Sequence, residues 1–201
     1  LLTIMLDVDG VLVRGRPQDG AHLFTDLERD LGIMVSQLQQ EFFKPRWAEI
    51  VTGKRPIEPD LSEVLMRIAP NVSAADLMEY WFRNDSRIDQ DVLLSVRGLR
   101  ARGNRVFLAT NQEHRRADYL MNEMGLGPEV DGIFYSAALG HRKPSADFYA
   151  LATDACGSHA SSIVLIDDTP DNVVAAREFG WQAIHWQDGM RIGEELARLA
   201  V

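Results

Sequence analysis

The sequence predicts an α/β protein in which a parallel sheet carries helices on both faces and is interrupted after its first strand by a helical insertion. Three observations predict it. Short apolar runs of strand length alternate with longer segments whose apolar residues recur at helical spacing. Polar residues follow directly on those runs, at the carboxyl ends of the strands, where an open parallel sheet binds its ligands. Finally, the stretch from about Arg14 to Ser86 is far longer than the single helix that a crossover needs.

The strands are expected at Leu2 to Val8, Val106 to Ala109, Gly132 to Tyr135, Ile163 to Ile166 and Gln182 to His185. Between them, Val92, Val96 and Leu99 form one helical stripe, with Gly103 placed to end it. Ala117, Leu120, Met121 and Met124 form a second stripe, Phe148, Leu151, Ala152 and Ala155 a third, and Ile192, Leu196 and Leu199 a last one. The insertion reads as helical throughout. Phe24, Leu27 and Leu31 share a face, as do Leu61, Val64, Leu65 and Ile68, and again Ala74, Leu77, Met78 and Trp81. Asp60 with Glu63 reads as a capping-box start and Ser73 as an N-cap, while Gly53 to Pro59 reads as a turn between two helices.

The 201 residues suffice for one domain, or one domain with an insertion, and 46% hydrophobic with 25% charged residues excludes wholesale disorder. Lys and Arg number 21 against 30 Asp and Glu, a formal charge of -9 that opposes nucleic acid as a partner. A small anion stays possible, because a metal ion and a few local donors can invert the field of one cleft. Cys156 is the sole cysteine, which suits a reducing compartment and a cytoplasmic location. The apolar opening stops at Asp7, and no run approaches the roughly 20 residues of a membrane span.

Chemistry concentrates at the strand ends. Asp7 and Asp9 alternate on an extended segment, so their carboxylates converge on one site, and ionising both costs energy unless a cation or a proton intervenes. A nucleophile beside a general acid/base is one use of such a pair, and Mg²⁺ ligation is compatible with it. Asp167 and Asp168 close another apolar run, where desolvating two adjacent carboxylates exceeds what a helix cap requires and favours a metal site. Thr110 and Asn111 lie just ahead of a helix expected near Glu113, where hydroxyl, amide and backbone N–H groups can meet an anion. Lys143 precedes Pro144 at another expected helix start, where a cation opposes the helix dipole and a bound phosphate would remove the conflict. The set matches phosphoryl transfer through an aspartyl phosphate.

In this order the four segments resemble the motifs of the haloacid dehalogenase superfamily: Asp7-Val8-Asp9-Gly10-Val11-Leu12, Leu108-Ala109-Thr110-Asn111, Arg142-Lys143-Pro144, and Ile166-Asp167-Asp168-Thr169-Pro170-Asp171-Asn172. The resemblance implies a Rossmann-like catalytic core of residues 1–14 and 87–201 and a type-one helical cap of residues 15–86. It implies Asp7 as nucleophile and Asp9 as general acid and base. Thr110 and the backbone near Asn111 would hold the phosphoryl oxygens, with Lys143 offsetting charge. Mg²⁺ would bind Asp7, the Asp9 backbone carbonyl and Asp168, with Asp167 or Asn172 coordinating or holding a metal-bound water. The implied activity is hydrolysis of a small phosphorylated metabolite, with sugar phosphates the nearest analogy. Dehalogenases of the superfamily lack the second aspartate of the first motif, which is present here as Asp9. A phosphomutase, a dehalogenase and a non-catalytic phosphate-binding protein remain the alternatives. Arg14, Lys54, Arg55 and His141 are candidate specificity residues, with His22 and Trp47 weaker ones; Trp81, Phe82, Trp181, Trp186 and Cys156 read as packing.

Overall fold

The computed structural model describes residues 1–199. Five parallel strands, β1 (Thr3–Leu6), β2 (Arg105–Thr110), β3 (Gly132–Tyr135), β4 (Ile163–Asp167) and β5 (Gln182–His185), form one sheet in the order β3-β2-β1-β4-β5. Each strand was expected. β1 is shorter than the apolar run suggests, because after Leu6 pairs with Leu108 and Ile166 the chain leaves the ladder for a tight turn at Val8–Val13.

Between β1 and β2 run α1 (Leu27–Leu31), α2 (Val35–Leu38), a π turn, α3 (Lys44–Ile50), α4 (Ile57–Ile68), α5 (Ala74–Asn84) and α6 (Gln90–Ala101). The later helices are α7 (His114–Asp118), which continues into a π turn to Glu123, α8 (Ser136–Leu139), α9 (Ala146–Cys156), α10 (Pro170–Phe179) and α11 (Ile192–Leu199). Among the described residues, no helix is long and apolar enough to cross a membrane.

Strand alternation sorts the core into two layers. Ile4, Leu6, Val106, Leu108, Val164 and Ile166 pack against Val92, Val96 and Leu99 of α6, whereas Met5, Phe107, Ala109 and Leu165 pack against Phe148, Ala152, Val173 and Ala176 of α9 and α10. The helices of the insertion have a separate core, with Leu27, Phe42, Leu61, Val64, Leu77 and Trp81 at its centre. The insertion leaves and rejoins the sheet region through two segments lying side by side: Val13 bridges Ile88, and the Arg14 N–H donates to Arg87 O at 2.9 Å.

Ser73 caps α5 as expected, and the structure adds a reciprocal capping box with Asp76. The expected start of α4 is corrected. α4 begins at Ile57 rather than at Asp60, since buried Ile57 extends the apolar stripe by a turn and Pro59 sits where a helix needs no N–H. The turn is therefore shorter than Gly53 to Pro59, and Asp60 is a buried carboxylate accepting from Arg46 at 2.7 Å and Arg55 at 2.5 Å.

Arg116 of α7 is a main tie between insertion and sheet. Only 1% exposed, it stacks between Phe82 and Tyr119 and donates to the carbonyls of Phe82 and Asp85 at the end of α5. Its ion pair with Asp85 spans 3.3 Å. Arg116→Met leaves those acceptors unpaired, and we expect a loss of about 3 kcal/mol in chemical denaturation. Asp85→Asn in the same chain should return part of that loss, and a double variant no more stable than Arg116→Met would show the ion pair to be immaterial.

Candidate active site

The carboxyl ends of β1, β2 and β4 meet at a cavity of about 360 Å³ lined by Asp7, Asp9, Gly10, Thr110, Asn111, Lys143, Asp168, Thr169 and Asn172. Asp7 follows directly on β1, its backbone N–H still donating to Ile166 O at 2.9 Å. Gly10 adopts φ +84°, and a Cβ there would overlap the Asp168 carboxylate, so glycine both permits the turn and admits Asp168 to the site.

Lys143 occupies the floor. Its ammonium donates to Ala109 O at 2.6 Å and to Asp167 Oδ2 at 2.5 Å, and lies 3.0 Å from Asp7 Oδ1. Burial disfavours its charge, yet the carboxylates of Asp7 and Asp167 outweigh that and hold its pKa above the ordinary value. The expected conflict with a helix dipole does not arise. α9 starts later, behind Ser145, and the Lys143 side chain turns away from it toward the carboxylates.

Asp7 is raised from 3.8 to about 7, chiefly by burial and further by Asp167 and Asp9, against the pull of Lys143. Asp9 stands exposed at the cleft, and its Oδ2 accepts from Gln112 Nε2 at 2.6 Å. Desolvation raises Asp9, opposed first by the Arg116 guanidinium and then by the Gln112 bond. Asp168 is likewise raised, by desolvation and by neighbouring Asp167.

Carboxylate oxygens of Asp7, Asp167 and Asp168 lie within 4.8 Å of one another, a donor set suited to a hard divalent cation. The three do not offer equal ligands. Asp167 is fully buried and already accepts from Lys143, from Asn172 Nδ2 at 3.1 Å on both oxygens, and from Thr169 N at 2.9 Å. Asp168 accepts only a long 3.3 Å contact from Thr169 Oγ1 among the described side chains. Four carboxylates face one ammonium here, so an anionic ligand needs a cation beside it, and the residues present fit Mg²⁺.

Thr110, 1% exposed, presents to the cavity from the end of β2. Asn111 also lines the cavity, and its side chain clasps the Lys143 backbone, accepting from N at 2.8 Å and donating to O at 2.9 Å, so its amide positions Lys143. At the start of α7 the Glu113 carboxylate accepts from Arg115 N at 2.8 Å and Arg116 N at 2.5 Å.

The candidate specificity residues do not gather at this cavity. Arg14 pairs with Asp188 and lines a different, larger cavity of about 560 Å³ beside Trp186 and Met190. Arg55 is held by Asp60 and Glu49 within the insertion, and His141 lies 3.3 Å from Asp147 on its own loop and helix. Lys54 lies in the turn after α3, where its backbone N–H donates to Glu49 O at 2.9 Å. His22 accepts from Phe24 N at 3.2 Å, and Trp47 packs against Phe42, Phe43 and Trp81. Sequence reasoning missed Gln112, Arg116 and Ser136. The signal for Gln112 was its place beside Thr110 and Asn111 at a strand end; Arg116 and Ser136 carried none, since their partners lie far away in the chain.

Known proteins resemble this chain in sequence and in fold. A sesquiterpene phosphatase of Aspergillus oryzae is 24% identical over 200 residues, covering 97% of this chain and 94% of the relative. A HAD-like family hydrolase from Porphyromonas gingivalis superposes with a TM-score of 0.79 at 20% identity, over 100% of this chain and 98% of that one. A HAD family enzyme from Bacteroides thetaiotaomicron, solved with magnesium and inorganic phosphate, gives 0.78 at 15% identity, over 97% and 98%. With residues 1–180 matching the haloacid dehalogenase-like hydrolase family, the chain belongs to that family.

Proposed function

We propose that the protein is a Mg²⁺-dependent phosphomonoester hydrolase that passes through an aspartyl phosphate on Asp7. One observation carries the reading: two carboxylates with unlike surroundings share one polar cavity, Asp7 gripped by Lys143 and Asp9 exposed and held by Gln112. A carboxylate fixed by an ammonium suits attack on phosphorus, and a second one with a raised pKa suits carrying a proton.

In this reading an Asp7 oxygen bonds to phosphorus while the ester P–O bond breaks, and the leaving oxygen takes the proton of Asp9. A water then gives a proton to Asp9 as its oxygen attacks phosphorus, freeing Asp7 and inorganic phosphate. Lys143 offsets the charge of nucleophile and phosphoryl group, and the Thr110 hydroxyl donates to a phosphoryl oxygen. Bound to Asp7, Asp168 and the Asp9 backbone carbonyl, Mg²⁺ would supply positive charge against the phosphoryl oxygens. Asp167, with its oxygens taken, orients Lys143 and Asn172. Residues 15–86 act as the cap over residues 1–14 and 87–201, hinged where Val13–Arg14 and Arg87–Ile88 run together.

Asp9 favours a phosphatase over a dehalogenase, whose chemistry needs no acid for a phosphate leaving group. The substrate is a small phosphorylated metabolite, and sugar phosphates are the first class to try. A second class rests on the insertion itself: its charged Arg55 is paired internally, whereas half-buried Phe43 and Trp47 join an aromatic cluster with Phe24 and Trp81. An ester with an apolar leaving group is the second class to try, and the Aspergillus relative bears the name of a sesquiterpene phosphatase.

Phosphate release from hexose phosphates, phosphoglycolate, nucleotides, a prenyl monophosphate and p-nitrophenyl phosphate, with Mg²⁺ or EDTA, tests both activity and class. Phosphate bound but not released would favour the binding protein, and an isomerised sugar phosphate the mutase. Asp7→Asn should lower turnover about a thousandfold or more while preserving the fold, and near-normal rates would remove Asp7 as nucleophile. Asp9→Ala should lower kcat/KM for an alkyl monoester by about 10²-fold or more and far less for p-nitrophenyl phosphate, whose leaving oxygen needs little protonation. Equal losses would restrict Asp9 to structure or metal.

The pKa of Asp7 also predicts a stability profile without metal. A carboxyl raised from 3.8 to about 7 binds its proton more tightly folded than unfolded, so its contribution falls as pH rises through that window. Asp85, raised to about 6 by burial and Asp9, acts in the same sense. In EDTA the melting temperature should therefore fall between about pH 4 and pH 7, and Mg²⁺ should raise it more at the upper end. Asp7→Asn should flatten both effects; an unchanged slope in that variant would dissociate Asp7 from the metal site.

A further inference from the structure

The loop after β2 does more than present Thr110. Gln112, only 4% exposed, sends its side chain to Asp9 and keeps its backbone within reach of the insertion. Its carbonyl accepts from Ala137 N at 3.2 Å and lies 3.2 Å from the Ser136 hydroxyl. Ser136 is fully buried, and its hydroxyl donates to Val51 O of the insertion at 2.5 Å. Two residues on, Gly53 adopts φ +71° and packs so closely on the Ala137 carbonyl that a Cβ would overlap it. The Val51–Gly53 turn therefore rests directly on the two residues that fix the Gln112 backbone.

We propose that Gln112 is a positioning residue for the general acid: its amide sets the direction of the Asp9 carboxylate, and the seated Val51–Gly53 turn holds Gln112 in place through Ser136 and Ala137. This rests on the phosphatase reading above. An aspartate side chain at the mouth of a cleft can turn about its side-chain bonds, and one short hydrogen bond from a buried amide restricts that turning. The donor is the NH₂ end, because an amide oxygen 2.6 Å from a carboxylate oxygen would repel it. Proton transfer to a leaving oxygen depends on such direction, so a seated insertion and a correctly aimed acid occur together.

Gln112→Met removes the donor, and Gln112→Glu keeps the shape while replacing the donor with a repelling carboxylate. Both should lower kcat/KM for an alkyl monoester by about tenfold or more, with p-nitrophenyl phosphate changed less than about threefold and KM nearly constant. Ser136→Ala should give the same ester-dependent pattern to a smaller degree. Equal losses on the two esters, or none in a folded variant, would overturn the proposal. If no phosphatase activity exists, the side-chain amide resonances of Gln112 in ¹⁵N-labelled protein still decide the contact: they should be slow to exchange and should shift in Asp9→Ala. Unshifted resonances would overturn the hydrogen bond itself, whereas absent turnover with shifted resonances would overturn only the phosphatase reading.

Discussion

The Lys143 ammonium has three N–H donors, and three acceptors are placed to take them: the Ala109 carbonyl in β2, Asp167 at the end of β4 and Asp7 just after β1. A buried lysine with an unpaired proton would cost several kcal/mol, so the three strand ends are constrained to the geometry that satisfies it. Neighbouring residues reinforce this. Asn111 clasps the Lys143 backbone from β2, Asn172 braces Asp167 from α10, and the Tyr149 hydroxyl of α9 donates to Asn172 O at 2.8 Å. The site is held by elements from both ends of the chain without any covalent tie.

That constraint leaves an electrostatic imbalance which shapes the chemistry. Asp7, Asp9, Asp167 and Asp168 face a single ammonium, within a protein whose formal charge is already -9. In this setting Asp7 is raised to about 7, and an incoming phosphate would meet net negative charge. A divalent cation held by Asp7 and Asp168 would resolve both difficulties together, favouring the ionised form of Asp7 and admitting an anion. The acidity of the whole protein thus gives no guide to the charge of its ligand, because the field of a cleft is set by groups within a few ångströms.

Much of this was legible in the sequence, for definite reasons. All five strands followed from apolar runs, and the candidate residues Asp7, Thr110 and Asp168 followed from being the polar residues where those runs stop. Ser73 was readable because an N-cap is local. Asp60 misled because its sequence neighbours imitate a cap, while its actual partners Arg46 and Arg55 are supplied by other segments of the insertion. Arg14, Arg55 and His141 are chemically plausible specificity residues, yet Arg14 pairs with Asp188, Arg55 with Asp60, and His141 lies 3.3 Å from Asp147. Charge type is written in the sequence; whether a charge is already spent depends on tertiary partners.

The segment from Thr110 to Arg116 joins these threads. Thr110 faces the cavity, Asn111 fixes Lys143, Gln112 holds Asp9, Glu113 caps α7, Arg115 pairs with Glu58 of α4, and Arg116 holds the end of α5. Within one short segment, Asn111, Gln112, Arg115 and Arg116 therefore contact Lys143, Asp9 and both later helices of the insertion. Packed interiors shift between discrete arrangements and do not deform continuously, so the insertion cannot move on α7 without loading this segment. Lys143, locked by Asn111 and by carboxylates from two other strands, resists that load. Asp9 depends on this same segment through one hydrogen bond from Gln112, so motion of the insertion would reach Asp9 before it reached Lys143 or Asp7.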